Sequence, residues 1–255
     1  MNREMYLDGK KILVTGAASG IGRAIAIHLA ENGAIVGAAD LAVPAETIAV
    51  IEKAGGRAIG LTADVSDAEQ VQAMVDEAVE ELDGLSGLVN NAGMYSSIIP
   101  RPFEEINLDE WRKLFDVNVY GLMSCCRSAV SHFKASGGGR IVNIISGTPF
   151  KGIPFMLHYV ASKGAVLAIT RSLASELGPS NILVNGVAPG FTLSEGVLDN
   201  EVQMSKLQEV SKRARSLARD QVPADVAGAV SFFLSDAAAF VTGQTMLVDG
   251  GSYFN

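Results

Sequence analysis

The sequence is poor in cysteine. Its only two thiols, Cys125 and Cys126, are neighbours in a stretch with helical periodicity. Adjacent cysteines provide neither a disulfide framework nor the spacing of a metal site. We therefore expect two buried, chemically inert thiols, no bound metal and a protein of the reducing cytoplasm.

Long apolar runs and basic residues are scarce as well. No apolar run approaches the roughly 20 residues that span a bilayer, and the first ten residues, MNREMYLDGK, lack the apolar core of a secretion signal. The chain has 20 Lys and Arg against 28 Asp and Glu, a net charge of −8. Such an acidic chain is poorly suited to bind nucleic acid phosphates. We expect it to bind neither membranes nor nucleic acids.

Hydrophobic residues and glycine are abundant, at 48% of 255 positions and 27 residues respectively. Short apolar runs such as KKILVTG and AIVGAAD alternate with segments of helical periodicity along the chain. Apolar strands that alternate with helices indicate a parallel sheet covered on both faces. Because no linker, repeat or low-complexity break occurs, the sequence predicts one doubly wound α/β domain over residues 1–255.

A glycine-rich turn, TGAASGIG, joins the first predicted strand to the first helix and contains Gly16, Gly20 and Gly22. Glycines at such a place permit a tight turn and let N–H groups of the helix N-terminus approach a pyrophosphate. The spacing differs from the usual G-x-G-x-x-G, and close packing is the other explanation for such a turn.

Asp40 supports the nucleotide interpretation, because it ends the second predicted strand 20 residues after Gly20. A carboxylate at this place accepts hydrogen bonds from an adenosine ribose and repels a 2′-phosphate. Ser19 and Leu41, the nearest positions for a cation that would hold such a phosphate, are uncharged. We predict NAD binding in preference to NADP; the alternative is that Asp40 caps a helix or faces water.

Tyr159 and Lys163 stand four positions apart in HYVASKG, with no Gly or Pro between them, and so share one helix face. Tyr6 and Lys10 have the same spacing, but the Asp-Gly between them indicates a turn. An ammonium and an oxidised nicotinamide would both lower the phenol pKa from its usual value of about 10. Ser146 ends the predicted strand RIVNIIS, at the sheet edge where ligands bind.

Together these motifs resemble the short-chain dehydrogenase/reductase family. The match consists of TGxxxGxG (Thr15 to Gly22), NNAG (Asn90 to Gly93), Ser146, the Tyr159–Lys163 pair and PG (Pro189, Gly190), in family order. The resemblance implies a single-domain Rossmann-type sheet of about seven parallel strands with helices on both faces. It also implies an NAD-dependent oxidoreductase that interconverts a secondary alcohol and its ketone or aldehyde.

The resemblance further implies roles for single residues. Tyr159 would be the general acid/base, Ser146 would hold the substrate oxygen, and Lys163 would bind the nicotinamide ribose and lower the tyrosine pKa. Asn118 matches the family's helix-kinking asparagine, whose carbonyl holds a water near Lys163. The expected cofactor-binding residues are Gly16, Ser19, Gly20, Ile21, Gly22, Asp40, Leu41, Asp64, Val65, Asn91, Gly93, Tyr159, Lys163, Pro189, Thr192 and Ser194.

The segments after Gly93, Ser146 and Gly190 are expected to bind the substrate. Their apolar side chains predict an apolar pocket, and the segment after Ser146 is loosely similar to family members that oxidise ring-bearing alcohols, such as pyridoxal and aryl-ethanol dehydrogenases. The residues that predict this pocket are Met94, Tyr95, Phe150, Phe155, Phe191, Val197 and Leu198.

Residues 191–222 are predicted to form a substrate loop or lid that contains a helix over about 204–219. His158 is expected on a helix surface or at a subunit interface. The helix is expected to place Leu207, Val210, Ala214 and Leu217 on one face and to expose Lys212, Arg213, Arg215 and Arg219. Those charges either meet an anionic substrate group or form an ordinary solvated face, the simpler explanation.

Other functions remain open. Reduction of a 3-oxoacyl thioester is the first alternative, although Asp40 disfavours NADPH, and Ser175 stands where acyl-carrier-protein reductases often have Arg. A nucleotide-sensing binding protein on the same scaffold would be expected to lack at least one of Asn118, Ser146, Tyr159 and Lys163, and a sugar epimerase would need a second domain. The resemblance also implies a homotetramer, or a dimer, formed through two long helices.

Overall fold

Seven parallel strands form one sheet in residues 6–254, the part of the chain that the structure, a computed structural model, describes. The strands are β1 (Lys11–Thr15), β2 (Ile35–Asp40), β3 (Arg57–Thr62), β4 (Gly87–Asn90), β5 (Gly139–Ile144), β6 (Ile182–Pro189) and β7 (Thr245–Val248). Their order is β3-β2-β1-β4-β5-β6-β7, and all neighbours are parallel. The predicted number of strands and their parallel arrangement are confirmed.

Ten α-helices occur in the same described residues. They are α1 (Gly20–Glu31), α2 (Ala45–Lys53), α3 (Ala68–Glu81), α4 (Leu108–Phe115), α5 (Leu122–Ala135), α6 (Thr148–Lys151), α7 (Leu157–Leu177), α8 (Glu195–Leu198), α9 (Glu201–Arg213) and α10 (Ala224–Leu234). None of them has both the length and the apolar character needed to cross a membrane.

The central strands are buried on both sides of the sheet. In β1, Leu13 packs in a core cluster that includes side chains of α3, α5 and α7. Its neighbours Ile12 and Val14 pack in a second cluster that includes side chains of α1 and α10. Because successive strand side chains point to opposite faces, one core lies on each side of the sheet. This confirms the doubly wound arrangement and explains why the strands are continuously apolar.

The helical stretch that includes α4 and α5 is interrupted. Between α4 and α5 the chain forms a π-helical segment, Asp116–Gly121, in which Asn118 and Gly121 are buried. A Cβ on Gly121 would lie 2.8 Å from the Val65 carbonyl oxygen, so a side chain at this position would prevent the close contact with the segment after β3. Wider helical turns of this kind often occur at functional sites.

The two thiols lie in α5 and are buried and free, as predicted. Burial raises the pKa of Cys126 to about 12, which keeps this thiol protonated and unreactive. Among the residues that the structure describes, no group of three or more His, Cys, Asp and Glu side chains is arranged to hold a metal ion.

The strand order creates a crevice at one edge of the sheet. From β1 the chain continues to β2 on one side, whereas β4 pairs with β1 on the other side. The connections after β1 and β4 therefore diverge at the carboxyl ends of these strands. Open α/β sheets bind their ligands at such a switch point.

Candidate active site

The turn after β1 is joined by hydrogen bonds to the end of β4. The Thr15 hydroxyl oxygen accepts hydrogen bonds from the backbone N–H groups of Asn91 and Ala92, both at 3.1 Å. The Asn91 amide donates to the carbonyl oxygens of Thr15 and Gly16, both at 3.0 Å. The glycine turn and the NNAG motif, which are far apart in sequence, thus form one unit.

Two glycines of the turn leave no room for a side chain. A Cβ on Gly22 would lie 1.9 Å from the Gly16 carbonyl oxygen and 2.4 Å from Asn91 Nδ2. Gly16 has a φ of 67°, and a Cβ there would lie 2.8 Å from Asn91 Nδ2. The start of α1 therefore presents bare backbone, whose N–H groups are suited to receive an anion.

Asp40 lies at the end of β2, and its carboxylate reaches the same turn. Oδ2 accepts a hydrogen bond from the Ala18 N–H at 2.9 Å, and Oδ1 accepts one from the Leu41 N–H at 2.8 Å. These bonds connect the strand to the turn and do not cap a helix, since α1 begins at Gly20. The carboxylate is fixed where the sequence predicts a ribose-binding group.

A cavity of about 700 Å³ runs along the carboxyl ends of the strands. Every residue predicted to bind a cofactor lies on its wall, from the glycine turn and Asp40 at one end to Tyr159 and Lys163. The bare helix N-terminus suits a pyrophosphate, and the Asp40 carboxylate suits ribose hydroxyls. These residues therefore fit a nicotinamide dinucleotide.

Ser146, Tyr159 and Lys163 lie on the same cavity wall, and each is 6% or 7% exposed. The Lys163 ammonium nitrogen is 6.0 Å from the centre of the Tyr159 ring and donates a hydrogen bond to the Ile144 carbonyl at 2.8 Å. Ser146 Oγ accepts a hydrogen bond from the Thr148 N–H at 3.2 Å. The structure thus brings together a phenol, an ammonium and a hydroxyl that the sequence predicts to cooperate.

Burial determines the proton affinities of this cluster. It raises the pKa of Tyr159 to about 12, although a hydrogen bond with Ser146 acts in the opposite direction. Burial also lowers the pKa of Lys163 to about 8. The protein's own groups do not lower the tyrosine pKa as expected, because desolvation of the phenolate outweighs the hydrogen bond. At neutral pH the phenol keeps its proton.

Asn118 lies just behind the cavity wall and is 1% exposed. Its Oδ1 accepts a hydrogen bond from the Met94 N–H at 2.7 Å, and its Nδ2 donates to the Met94 carbonyl at 3.2 Å and to Ser162 Oγ at 3.3 Å. The Ser162 hydroxyl donates to the Tyr159 carbonyl at 2.8 Å. Asn118 therefore links the helix of Tyr159 to the segment that follows Gly93.

The substrate end of the cavity is mainly apolar, and part of its lining is as predicted. The Tyr95 ring lies 4.9 Å from the Tyr159 ring, measured between centroids. The predicted residues that line the cavity are Met94, Tyr95, Phe191 and Val197. Three lining residues that the sequence did not single out for this role are Ile153, Met156 and Leu207.

The pocket prediction is wrong for the other three residues. Phe155 and Leu198 are 57% and 51% exposed, and Phe150 packs against Tyr253 with ring centroids 5.8 Å apart. Phe155 also has a φ of 66°, in the left-handed region. This turn conformation, which no sequence periodicity reveals, directs Phe155 outwards.

Residues 191–222 contain two helices, α8 and α9, in place of one helix over about 204–219. The start of α9 is anchored to the segment after Gly93, because Gln203 Nε2 donates to the carbonyls of Tyr95 and Ile98, both at 2.9 Å. Asn200 Nδ2 donates to the Ser96 carbonyl at 2.6 Å. The segment therefore covers the substrate end through specific polar contacts.

Two expectations for this segment are wrong. Val210, Ala214 and Leu217 are exposed, and only Leu207 of the predicted apolar face packs inward. Because α9 ends at Arg213, Ala214 and Leu217 lie beyond the helix. Arg215 is 8% exposed, not solvated. Its guanidinium donates to the carbonyls of Phe191 and Arg219 and so fixes the path of the chain after β6.

Glu195, which the sequence did not single out, touches the glycine turn. Its Oε2 accepts a hydrogen bond from the Gly20 N–H at 2.7 Å. Its Oε1 lies 3.4 Å from the Arg23 guanidinium. A carboxylate is thus the group that occupies the N-terminus of α1, and no sequence motif indicates this contact between residues 175 positions apart.

His158 is fully buried, contrary to the expectation of a surface or interface position. Its Nε2 lies 3.2 Å from Glu110 Oε1, and Glu110 in turn pairs with Arg101 at 3.3 Å. The Trp111 ring lies 6.2 Å from the imidazole. The histidine therefore connects the first turn of α7 to α4. The sequence pattern of α7 alone does not predict this contact.

Comparison with known proteins agrees with this fold. A family model described as enoyl-(acyl carrier protein) reductase matches residues 16–253. An uncharacterised oxidoreductase of Methylorubrum extorquens is 39% identical over 248 residues, which cover 96% of this chain and 98% of the relative. A putative short-chain alcohol dehydrogenase of Sinorhizobium meliloti superposes with a TM-score of 0.92 at 37% identity, over 98% of both chains.

The chain belongs to the short-chain dehydrogenase/reductase family.

As a member of this family, the protein is an oxidoreductase with a nicotinamide cofactor site. Its relatives differ in substrate. A cis-4-hydroxycyclohexanecarboxylate dehydrogenase of Sinomonas cyclohexanicum is 38% identical over 94% of both chains. A 3-oxoacyl-(acyl-carrier-protein) reductase of Staphylococcus aureus is 36% identical over 96% of this chain and 98% of its own length.

The relatives also leave the choice between NAD and NADP open. A putative NAD(P)-dependent gluconate 5-dehydrogenase of Beutenbergia cavernae, solved with NADP at low occupancy, superposes with a TM-score of 0.89. It is 36% identical to this chain, and the superposition covers 98% of this chain and 99% of its own.

The glycine turn yields a prediction with an internal control. We expect Gly22→Ala to abolish measurable binding of NADH, because the new Cβ would collide with the Gly16 carbonyl. Gly228 is also helical, but no atom lies within 4 Å of a Cβ placed there. Gly228→Ala is therefore expected to keep NADH affinity and to raise the free energy of unfolding by about 0.5–1 kcal/mol. NADH fluorescence titration measures the affinity for NADH, and urea unfolding measures the free energy of unfolding. Equal NADH affinity in the two variants would contradict the steric argument.

Proposed function

We propose that this dehydrogenase/reductase uses NAD to interconvert a secondary alcohol and its ketone or aldehyde. The observation that carries the proposal is the placement of Ser146, Tyr159 and Lys163 on one end of the cavity whose other end holds the Asp40 carboxylate. One bound dinucleotide would then extend from a ribose-binding acid to a proton donor.

Tyr159 is the proposed general acid and base. An oxidised nicotinamide bound in the cavity would supply the hydride acceptor. The tyrosine phenolate takes the hydroxyl proton of the alcohol during oxidation, and the phenol returns it to the carbonyl oxygen during reduction. Ser146 holds the substrate oxygen through its hydroxyl. With a phenol pKa of about 12, the protein's own groups favour the protonated phenol at neutral pH. A pH above neutral therefore increases the fraction of phenolate, the form that oxidation requires.

Lys163 has two proposed tasks. Its ammonium binds the hydroxyls of the nicotinamide ribose, and its positive charge stabilises the phenolate of Tyr159. Burial lowers the pKa of Lys163 to about 8. Most of the lysine is therefore in the ammonium form at neutral pH, and the neutral amine predominates above a pH of about 8. Asn118 keeps the helix of Tyr159 in place, and its carbonyl is proposed to hold a water connected to Lys163.

The substrate is proposed to carry a ring or another apolar group beside its hydroxyl. The cavity end next to Tyr159 presents Met94, Tyr95, Ile153 and Met156, which suit apolar surface. The similarity to a dehydrogenase whose name specifies a hydroxylated cyclohexane ring supports this class. We also propose that residues 191–222 act as the substrate loop of a single catalytic domain.

Reduction of a 3-oxoacyl thioester is the second candidate, because a reductase of acyl-carrier-protein thioesters is 36% identical over nearly the whole chain. Asp40 counts against NADPH, which such a reaction commonly uses. Ser175, an exposed residue of α7, leaves this position without the cation expected for an acidic carrier protein. Because of Asp40 and Ser175, we propose thioester reduction only as the second candidate.

A homotetramer, or a dimer, is proposed to form through two long helices. Tyr120, in the π-helical segment, and Met123, three residues later in α5, are 58% and 40% exposed. Exposed apolar side chains on the surface of long helices are typical of subunit contacts. Light scattering after size exclusion is expected to give two or four times the chain mass of 26.7 kDa; a monomer would contradict the proposal.

Tyr159→Phe tests the proton transfer. We expect this variant to bind NADH normally and to lose turnover by a factor of about 10² to 10⁴. Tyr6→Phe is the matched control, since the Tyr6 hydroxyl contacts only Ser231 in the described structure and its neighbour Lys10 pairs with Asp236. The wild-type rate of alcohol oxidation should rise above pH 7, as the phenol gives up its proton more readily, and should fall again once Lys163 loses its ammonium charge above a pH of about 8. Retained turnover in Tyr159→Phe would refute the assignment.

Asp40→Ala tests the cofactor preference. Removing the carboxylate should raise the ratio of kcat/KM for NADP to that for NAD by at least about tenfold, the equivalent of about 1.4 kcal/mol. Glu77→Ala, which removes an exposed carboxylate of α3 outside the cavity lining, serves as the control. A wild-type enzyme that already prefers NADP would overturn the proposal.

The substrate class is tested by NAD⁺ reduction, followed by absorbance. The panel contains aryl, alicyclic and aliphatic secondary alcohols and a 3-hydroxyacyl thioester. We expect the ring-bearing alcohols to give the highest kcat/KM. Turnover of the thioester alone would promote the second candidate, and NADH binding without any turnover would favour a nucleotide-sensing protein.

A further inference from the structure

The N-terminus of α1 already holds an anion of the chain itself. Gly20 is the first residue of this 12-residue helix, and its N–H has no acceptor within the helix. The Glu195 carboxylate fills that place with a hydrogen bond of 2.7 Å. Positive partial charge at a helix N-terminus favours such a contact.

The residue that precedes Glu195 packs against the same turn. A Cβ on Gly20 would lie 3.1 Å from Ser194 Cβ, so the residue before Glu195 packs tightly over the glycine. Gly20 and Ser194 both line the cavity. The Glu195 side chain nevertheless remains 54% exposed, which leaves it a path to solvent.

Arg23 does not explain why Glu195 is there. Its guanidinium already pairs with Glu46 at 2.9 Å and donates to the Ala18 carbonyl through Nε at 2.9 Å. The contact with Glu195, at 3.4 Å, is the longer of its two ion pairs. The Gly20 N–H is therefore the principal partner of the Glu195 carboxylate.

We propose that Glu195 competes with the cofactor diphosphate for the N-terminus of α1 and thereby sets the affinity for the cofactor. The inference rests on the proposed function of the cavity. One N–H cannot donate fully to a carboxylate and a phosphate at once, and two anions in contact repel each other. Cofactor binding therefore requires Glu195 to withdraw, and return of the carboxylate speeds the release of the cofactor.

The test compares Glu195→Gln, Glu195→Ala and Glu46→Gln. Glutamine keeps an oxygen for the Gly20 N–H but removes the charge, alanine removes both, and Glu46→Gln removes the other carboxylate on Arg23 without touching the turn. NADH fluorescence titration gives Kd, and stopped-flow displacement gives the dissociation rate. We expect Kd to fall about threefold to tenfold in both Glu195 variants, with slower dissociation, and to stay within about twofold in Glu46→Gln.

Inorganic pyrophosphate is a second probe, because it contains the competing group without the rest of the cofactor. Calorimetry should show tighter pyrophosphate binding to Glu195→Gln than to the wild type. An unchanged or higher Kd for NADH in Glu195→Gln would overturn the inference, as would an equal gain in Glu46→Gln. If the wild type and all variants fail to bind NADH, the proposed function fails, and the pyrophosphate result alone decides whether Glu195 competes for the anion site.

Discussion

The backbone contact between the glycine turn and the end of β4 is the constraint on which the site depends. Gly22 approaches the Gly16 carbonyl so closely that no other residue fits, and the Asn91 amide donates hydrogen bonds to the carbonyls of Thr15 and Gly16. This contact places the N-terminus of α1 at the point where the strand order reverses. The cavity begins there, and the positions of the other groups follow from the ends of the parallel strands.

The two ends of the cavity have opposite electrostatic character. At one end Asp40 is held by backbone N–H groups and carries a charge beside the turn. At the other end Tyr159 and Lys163 are buried, and burial favours the neutral form of each. At neutral pH the phenol at this end therefore keeps its proton.

The segment after β6 combines rigid and adjustable contacts. Gln203 and Arg215 are buried and fasten it through backbone carbonyls, which are costly to leave without hydrogen bonds. Glu195 is half-exposed and rests on the N-terminus of another helix. The buried contacts of Gln203 and Arg215 therefore hold the segment, whereas solvent can reach the side chain of Glu195.

The sequence by itself determined the alternation of buried strands and helices, the glycine turn with Asp40, and the order of Ser146, Tyr159 and Lys163. These features have local causes: side-chain periodicity, the steric freedom of glycine and the spacing of residues along one helix. Only the tertiary structure decided the burial of His158 and Arg215, the outward turn of Phe155, the contact of Glu195 with Gly20 and the direction of the Tyr159 pKa shift. The outward turn of Phe155 depends on a left-handed backbone conformation that no sequence periodicity reveals. The other features depend on residues that are distant in sequence or on desolvation, and no local sequence pattern encodes either of these.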